Sequence, residues 1–208
     1  MKLFGSERSR SFRAVWALEE AHLDYEYVAV SFGSKDENGS YSEGYRHLNA
    51  QGKVPTLVDQ DLVVTESAAI LNYIARKKPK ANLMPATVEL KARYDEISFF
   101  VLSELEQSLW TYAKHSFALP ESMRVPEVKD TTKLEFKTTI KALQQLFDGE
   151  GFVVGDQFTM ADILLAHTLA WAEKAKFEVP DELIAYRKRM YGREACLKAI
   201  EKDASFSK

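Results

Sequence analysis

The stretch VPTLVDQDLVVTES, running from Val54 to Ser67, decides how this chain folds. Two β-branched runs, Thr56-Leu-Val and Leu62-Val-Val, flank Asp59-Gln60-Asp61 in the pattern of a β-hairpin. Val54-Pro55 stands at its entrance, where a proline removes a ladder donor and belongs at an edge or a turn. An X–Pro bond adopts the cis form at a cost of only about 0.5–1 kcal/mol. A cis bond here would aim the N–H and C=O of Val54 outward, ready to pair with an extended peptide; a plain edge-strand turn explains the proline equally well. At the far end, Glu66-Ser67 passes from strand into helix, where free N–H groups and the positive dipole end are exposed. That junction suits the carboxylate of an α-amino acid, with Glu66 facing its ammonium, and on physics alone it suits simple N-capping better.

Outward from the hairpin, the first part of the chain alternates strand and helix. Lys2-Leu-Phe4 is a short apolar strand, followed by the serine-rich SERSRS of Ser6 to Ser11. From Ser11 to His22, Ala14, Val15, Leu18 and Ala21 recur at helical spacing, with Phe12 and Trp16 on an adjoining face. Tyr25 to Phe32 alternates and is rich in β-formers, so a strand is expected there. A polar loop over 33–42 and a short helix over 41–48 precede the hairpin. After it, Ser67, Ile70, Leu71 and Ile74 form a helical stripe that stops at Arg76-Lys77-Lys78 and Pro79, with basic residues and a proline where a helix should end. The order is β-α-β-α-β-β-α.

Prolines and an asparagine mark a linker over 79–87, and beyond it only helices are expected, at 88–115, 130–148, 160–175, 181–189 and 192–202. The expected domains are therefore 1–78, of mixed α/β type, and 88–208, all-helical. Phe158-Thr-Met-Ala-Asp-Ile163 is a helix start in which Thr159 caps, Asp162 reaches back to the cap, and Phe158 and Ile163 form a hydrophobic staple. Asp162 is accordingly a folding residue rather than a catalytic acid. GEGFVVG (149–155) has the glycines of a dinucleotide loop but the wrong spacing, and it follows a helix, so it is a turn. His167 belongs to the buried helix as a core histidine, and Phe99, Phe100, Trp110, Tyr112 and Phe117 are mainly core.

Composition narrows the functions. A formal net charge of −3 disfavours a nucleic-acid partner, despite the local cluster Arg8, Arg10, Arg13. With one cysteine, Cys196, there is no disulfide framework, and four scattered histidines give no metal-site spacing. No apolar run has the length of a membrane span and no signal-peptide pattern opens the chain, so a cytoplasmic protein is expected.

SRSFRAVWALEE, LNAQGKVPTLV, TESAAILNYIA and GDQFTMADILLAHTLAW, in that order and spacing, resemble the glutathione transferase superfamily over nearly the whole chain. The resemblance implies a thioredoxin-like N-terminal domain followed by an all-helical domain, and a homodimer. It implies that Val54 and a cis Pro55 pair with the cysteinyl backbone of glutathione, and that Glu66 and Ser67 hold its γ-glutamyl amine and carboxylate. Lys53, with His47 or Gln51, would meet the glycyl carboxylate, and Phe12, Trp110, Tyr112 and His115 would border a hydrophobic electrophile. The family's catalytic group is a Ser, Tyr or Cys after the first strand; counting four residues back from Arg13 gives Ser9, with Ser11 as the alternative. The implied activity is glutathione transfer, with a glutathione peroxidase side activity. A catalytically weak glutathione-binding or scaffold protein of the same fold is the alternative.

Overall fold

The computed structural model describes residues 1–205. They fall into two compact units, one formed by Met1–Met84 with the segment that begins at Gly192, the other by Pro85–Tyr191.

In the first unit β1 (Lys2–Gly5), α1 (Ser11–Glu20), β2 (Glu26–Ala29), α2 (Glu43–Leu48), β3 (Thr56–Asp59), β4 (Leu62–Thr65) and α3 (Ser67–Lys77) follow one another in the expected order. The sheet runs β2-β1-β3-β4, with β1 parallel to β2 and antiparallel to β3, and β4 antiparallel to β3. Leu3 and Leu57 face each other across β1 and β3 and are completely buried. The hairpin closes on Gln60-Asp61, with Gln60 left-handed at φ 56°. β2 is shorter than the expected strand over Tyr25–Phe32, because β1 offers it only four partners; past them, the Val30 N–H donates to Gly5 O at 2.7 Å and Ser31 bridges to Gly39.

Every residue of α1 from Ser11 to Leu18 is buried. One helical face cannot account for that, since a single-sided helix hides only a stripe. The remaining faces are covered by α3 and by α9 (Glu194–Ser205). The last helix, expected within 88–208, thus belongs to the first unit. Its composition carried no sign of this, because an amphipathic stripe does not say which core it covers. Residues 206–208 of that expected domain lie outside the described residues.

Cys196 is fully covered on α9, and burial, with Glu20 nearby adding to the effect, pushes its thiol up to about 12. A raised value leaves thiolate scarce at pH 8, so native protein is expected to resist iodoacetamide there, while denatured protein labels fully. Mass spectrometry of the two samples checks this.

In the second unit, the expected 88–115 helix is α4 (Val88–Phe100), a π turn at Val101–Leu105, α5 (Glu106–Ala113) and a second π turn at Lys114–Ala118. α6 (Val128–Leu146), α7 (Met160–Lys174) and α8 (Asp181–Tyr191) complete it. α7 starts on the anticipated capping box, with Phe158 and Ile163 both buried. Asp162 accepts from Val153 N–H (2.9 Å), Thr159 N–H (2.8 Å), Thr159 Oγ1 (3.1 Å) and the Tyr186 hydroxyl (2.8 Å). Burial raises the Asp162 carboxyl, against the pull of these bonds. Gly149, Gly151 and Gly155 take positive φ, as the turn reading of GEGFVVG requires.

Candidate active site

The polar residues singled out around the hairpin and the first turn all belong to the first unit. The turn between β1 and α1 is laced by its own serines. Ser9 Oγ lies 2.6 Å from Ser6 O and 2.9 Å from Ser11 Oγ, and it accepts the Ser11 N–H at 3.0 Å. Ser11 Oγ accepts the Ser6 N–H at 3.2 Å. Ser11 is wholly buried, whereas Ser9 is partly exposed. A Cβ on Gly5 would lie 2.7 Å from Tyr27 Oη and 2.8 Å from Ser11 Cβ, so glycine is what lets β1 end this close to the turn.

Two residues of α1 change roles relative to the sequence reading. Arg13, a marker of register there, is fully buried, and its Nη1 donates to Ser67 Oγ at 3.3 Å. This bond ties the start of α1 to the start of α3. Phe12, expected beside an electrophile, is 7% exposed and packs against Trp16 with ring centroids 6.0 Å apart.

The Val54-Pro55 bond is cis. The residue before it is held from beneath: the Lys53 carbonyl accepts from the Tyr45 hydroxyl at 2.6 Å and from Asn49 Nδ2 at 2.9 Å, and both groups also reach Thr56 Oγ1. Tyr45, Asn49 and Thr56 are buried, and the sequence reading missed them. The one available signal was the polar pair Tyr45 and Asn49 at helical spacing on an otherwise short, charged helix. Pro55 is buried, Val54 partly so, and the Lys53 side chain is exposed.

Glu66 has φ 65° and ψ 120°, outside the conformations that residues with a Cβ favour. Such a residue costs of order 1–3 kcal/mol and persists where the surroundings over-determine it. Its side chain is exposed, and Gln51 Nε2 lies 3.5 Å from Glu66 Oε1, so these two predicted residues are neighbours. Ser67 is buried under Arg13. His47 stands apart, its side chain 79% exposed and its Nε2 3.9 Å from Glu43.

Trp110, Tyr112 and His115 lie in the second unit. All three are half-buried. Tyr112 packs edge-on to Phe177 at 5.1 Å with Lys129 over its ring, and His115 Nδ1 accepts the Val125 N–H at 3.0 Å. Among the described residues no group of three or more His, Cys, Asp or Glu is placed to hold a metal ion, and no helix is long and apolar enough to cross a membrane.

Known proteins share this arrangement. Residues 1–76 match the family model for the glutathione S-transferase N-terminal domain, and residues 126–189 match that for its C-terminal domain. A zeta-class glutathione S-transferase of Euphorbia esula is 32% identical over 168 residues, which are 79% of this chain and 72% of that protein. The chain belongs to the glutathione S-transferase superfamily. Glutathione S-transferase GstA of Escherichia coli O157:H7 is 28% identical over 91% of this chain and 92% of its own. A solved sphingomonad glutathione S-transferase, complexed with glutathione, superposes with a TM-score of 0.85 at 29% identity, covering 98% of this chain and 99% of that one. Family membership accounts for the four-stranded thioredoxin-like sheet and for the helical unit beside it in sequence.

Proposed function

We propose that this chain is a glutathione transferase that binds glutathione on its first unit and activates the thiol at Ser9. The observation that carries the proposal is that one unit holds a cis Val54-Pro55, the strained Glu66 before Ser67, and the serine-laced turn that leads into α1, whose Arg13 bonds Ser67. Val54 would pair with the cysteinyl backbone, and Glu66 and Ser67 would take the γ-glutamyl ammonium and carboxylate. Lys53 and Gln51 would meet the glycyl carboxylate. His47, exposed beside Glu43, is the weakest member of that set.

The choice of Ser9 over Ser11 rests on exposure. A donor to a bound thiolate must reach it, and Ser11 is wholly covered while Ser9 is not. The Ser9 proton is already engaged with Ser6 O or Ser11 Oγ. Donating to sulfur therefore means rotating the hydroxyl and exchanging a neutral hydrogen bond for a charge-assisted one, about twice as strong. A free thiol titrates at about 8.5, and a hydrogen bond to a charged group contributes roughly 1.5–3 kcal/mol, one to two pKa units if only the thiolate receives it. The sulfur then attacks the electrophilic carbon with its own electron pair, and the leaving group departs with the pair from the bond that breaks. Ser9 forms no covalent bond.

By family resemblance the same reading extends to a glutathione peroxidase side activity, to a homodimer, and to detoxification in the cytoplasm. It also keeps a small hydrophobic electrophile near Trp110, Tyr112 and His115. Retention on glutathione resin with conjugation of a chlorodinitrobenzene is the expected result. Retention without conjugation would make the chain a binding module of the same fold, and no retention would remove the reading. Within it, Glu66→Ala is expected to weaken glutathione binding about tenfold, the worth of one charge-assisted contact, as read by calorimetric titration.

A further inference from the structure

The return of α9 to the first unit places a carboxylate against the serine turn. α9 is fastened along α1 by two ion pairs. Arg193 grips Glu20 through Nε (2.6 Å) and Nη2 (2.8 Å), and Lys202 Nζ meets Glu19 Oε1 at 2.5 Å. These contacts fix the rotation of the helix, and the next residue, Asp203, turns toward the loop between β1 and α1. Its Oδ2 accepts the backbone N–H of Arg8 at 3.2 Å.

Arg8 is left-handed, with φ 53°, in the middle of the turn that carries Ser9. Two of the turn's other amides are satisfied from within, Ser6 N–H by Ser11 Oγ and Ser11 N–H by Ser9 Oγ. Arg8 N–H is instead held from outside, by a residue 195 positions away. The second Asp203 oxygen, Oδ1, is buried with no hydrogen-bond partner among the described residues. A carboxylate oxygen withdrawn from water without a partner is costly. Burial accordingly raises the Asp203 carboxyl against the Arg8 N–H and charge, with the negative charge of Glu7 adding a smaller push in the same direction as burial. A residue that breaks the local rule at this place, and returns one backbone bond to the serine turn, is spent on geometry rather than on stability.

We propose that Asp203 is a positioning residue for the transfer reaction: by holding the Arg8 N–H it keeps the Ser6–Ser11 turn in the shape that presents the Ser9 hydroxyl to the glutathione sulfur. The inference rests on the proposed role of Ser9 and extends it to α9.

The test compares Asp203→Ala and Asp203→Asn with Ser9→Ala, using glutathione and a chlorodinitrobenzene. Asp203→Ala is expected to lower kcat about fivefold, the worth of one ordinary hydrogen bond, with KM for glutathione little changed because the head-group contacts are untouched. Its Arg8 amide should also exchange hydrogen faster than in the wild type. Asp203→Asn is expected to stay within about twofold of wild type, because its amide oxygen still accepts the N–H. Wild-type kcat in Asp203→Ala alongside an impaired Ser9→Ala would overturn the proposal, as would equal loss in the Ala and Asn variants. Wild-type activity in Ser9→Ala would instead overturn the reading on which it rests, and the two failures are distinct. Should Asp203→Ala not fold, faster Arg8 exchange or lost kcat in the folded Asn variant would equally contradict the acceptor role.

Discussion

Asp162→Ala is expected to lose about 4 kcal/mol of stability, the range for breaking a buried, hydrogen-bonded charge. The substitution strips partners from Val153 N–H, Thr159 N–H, Thr159 Oγ1 and the Tyr186 hydroxyl together. Each is in the interior, where an unsatisfied donor costs roughly 1–3 kcal/mol and the costs do not simply add. For a chain of this size, roughly 2–4 °C accompany each kcal/mol, so the melting temperature should fall by about 8–16 °C. Asp162→Asn should fall less, since one amide oxygen still accepts, yet its NH2 group then faces donors. Calorimetry reads both. Well below its melting temperature Asp162→Ala should keep kcat close to wild type, because Asp162 lies in the second unit and serves folding. A large loss of kcat in folded Asp162→Ala would contradict that assignment.

Ser9→Ala carries the second large effect. Loss of the thiolate's hydrogen bond is expected to slow turnover by about tenfold or more, with glutathione affinity nearly unchanged. The melting temperature should move little, since Ser9 lies on a half-exposed turn. Ser11→Ala should behave differently. Its hydroxyl is completely buried and accepts from Ser6 N–H and pairs with Ser9, so its removal loosens the turn and costs stability as well as rate. A rate loss confined to Ser11→Ala, with Ser9→Ala unaffected, would move the donor two residues along the chain.

Much of this arrangement was legible in the sequence because local rules produced it. A short apolar run marks β1, β-branched runs mark β3 and β4, and a basic stretch before Pro79 ends α3. Thr159 and Asp162 announce the start of α7 at fixed spacing. Val54-Pro55 stood out as a proline at a strand entrance and Glu66-Ser67 as a strand-to-helix junction that ordinary N-capping explains, and the structure gives both an unusual backbone. What escaped the sequence depends on contacts between distant residues. Arg13 reads as one more basic residue until α3 lies beside α1 and Ser67 accepts its Nη1. Tyr45, Asn49 and Thr56 support Lys53 only once α2 has packed beside β3. Phe12, which the resemblance sets beside the electrophile, is buried against Trp16 because α1 is covered on several faces. α9 carries the same amphipathic pattern whichever unit it joins, and its contacts with α1, the pairs of Arg193 with Glu20 and Lys202 with Glu19 among them, show where it belongs.

The central claim is that the Ser9 turn stabilises the thiolate of bound glutathione. Its most direct measurement is the ultraviolet absorbance of the thiolate, titrated against pH with the protein saturated by glutathione. The account predicts an apparent pKa near 7, about one to two units below free thiol, with the value in Ser9→Ala returning toward roughly 8.5. A bound thiol that titrates like the free one in the wild-type protein would contradict it.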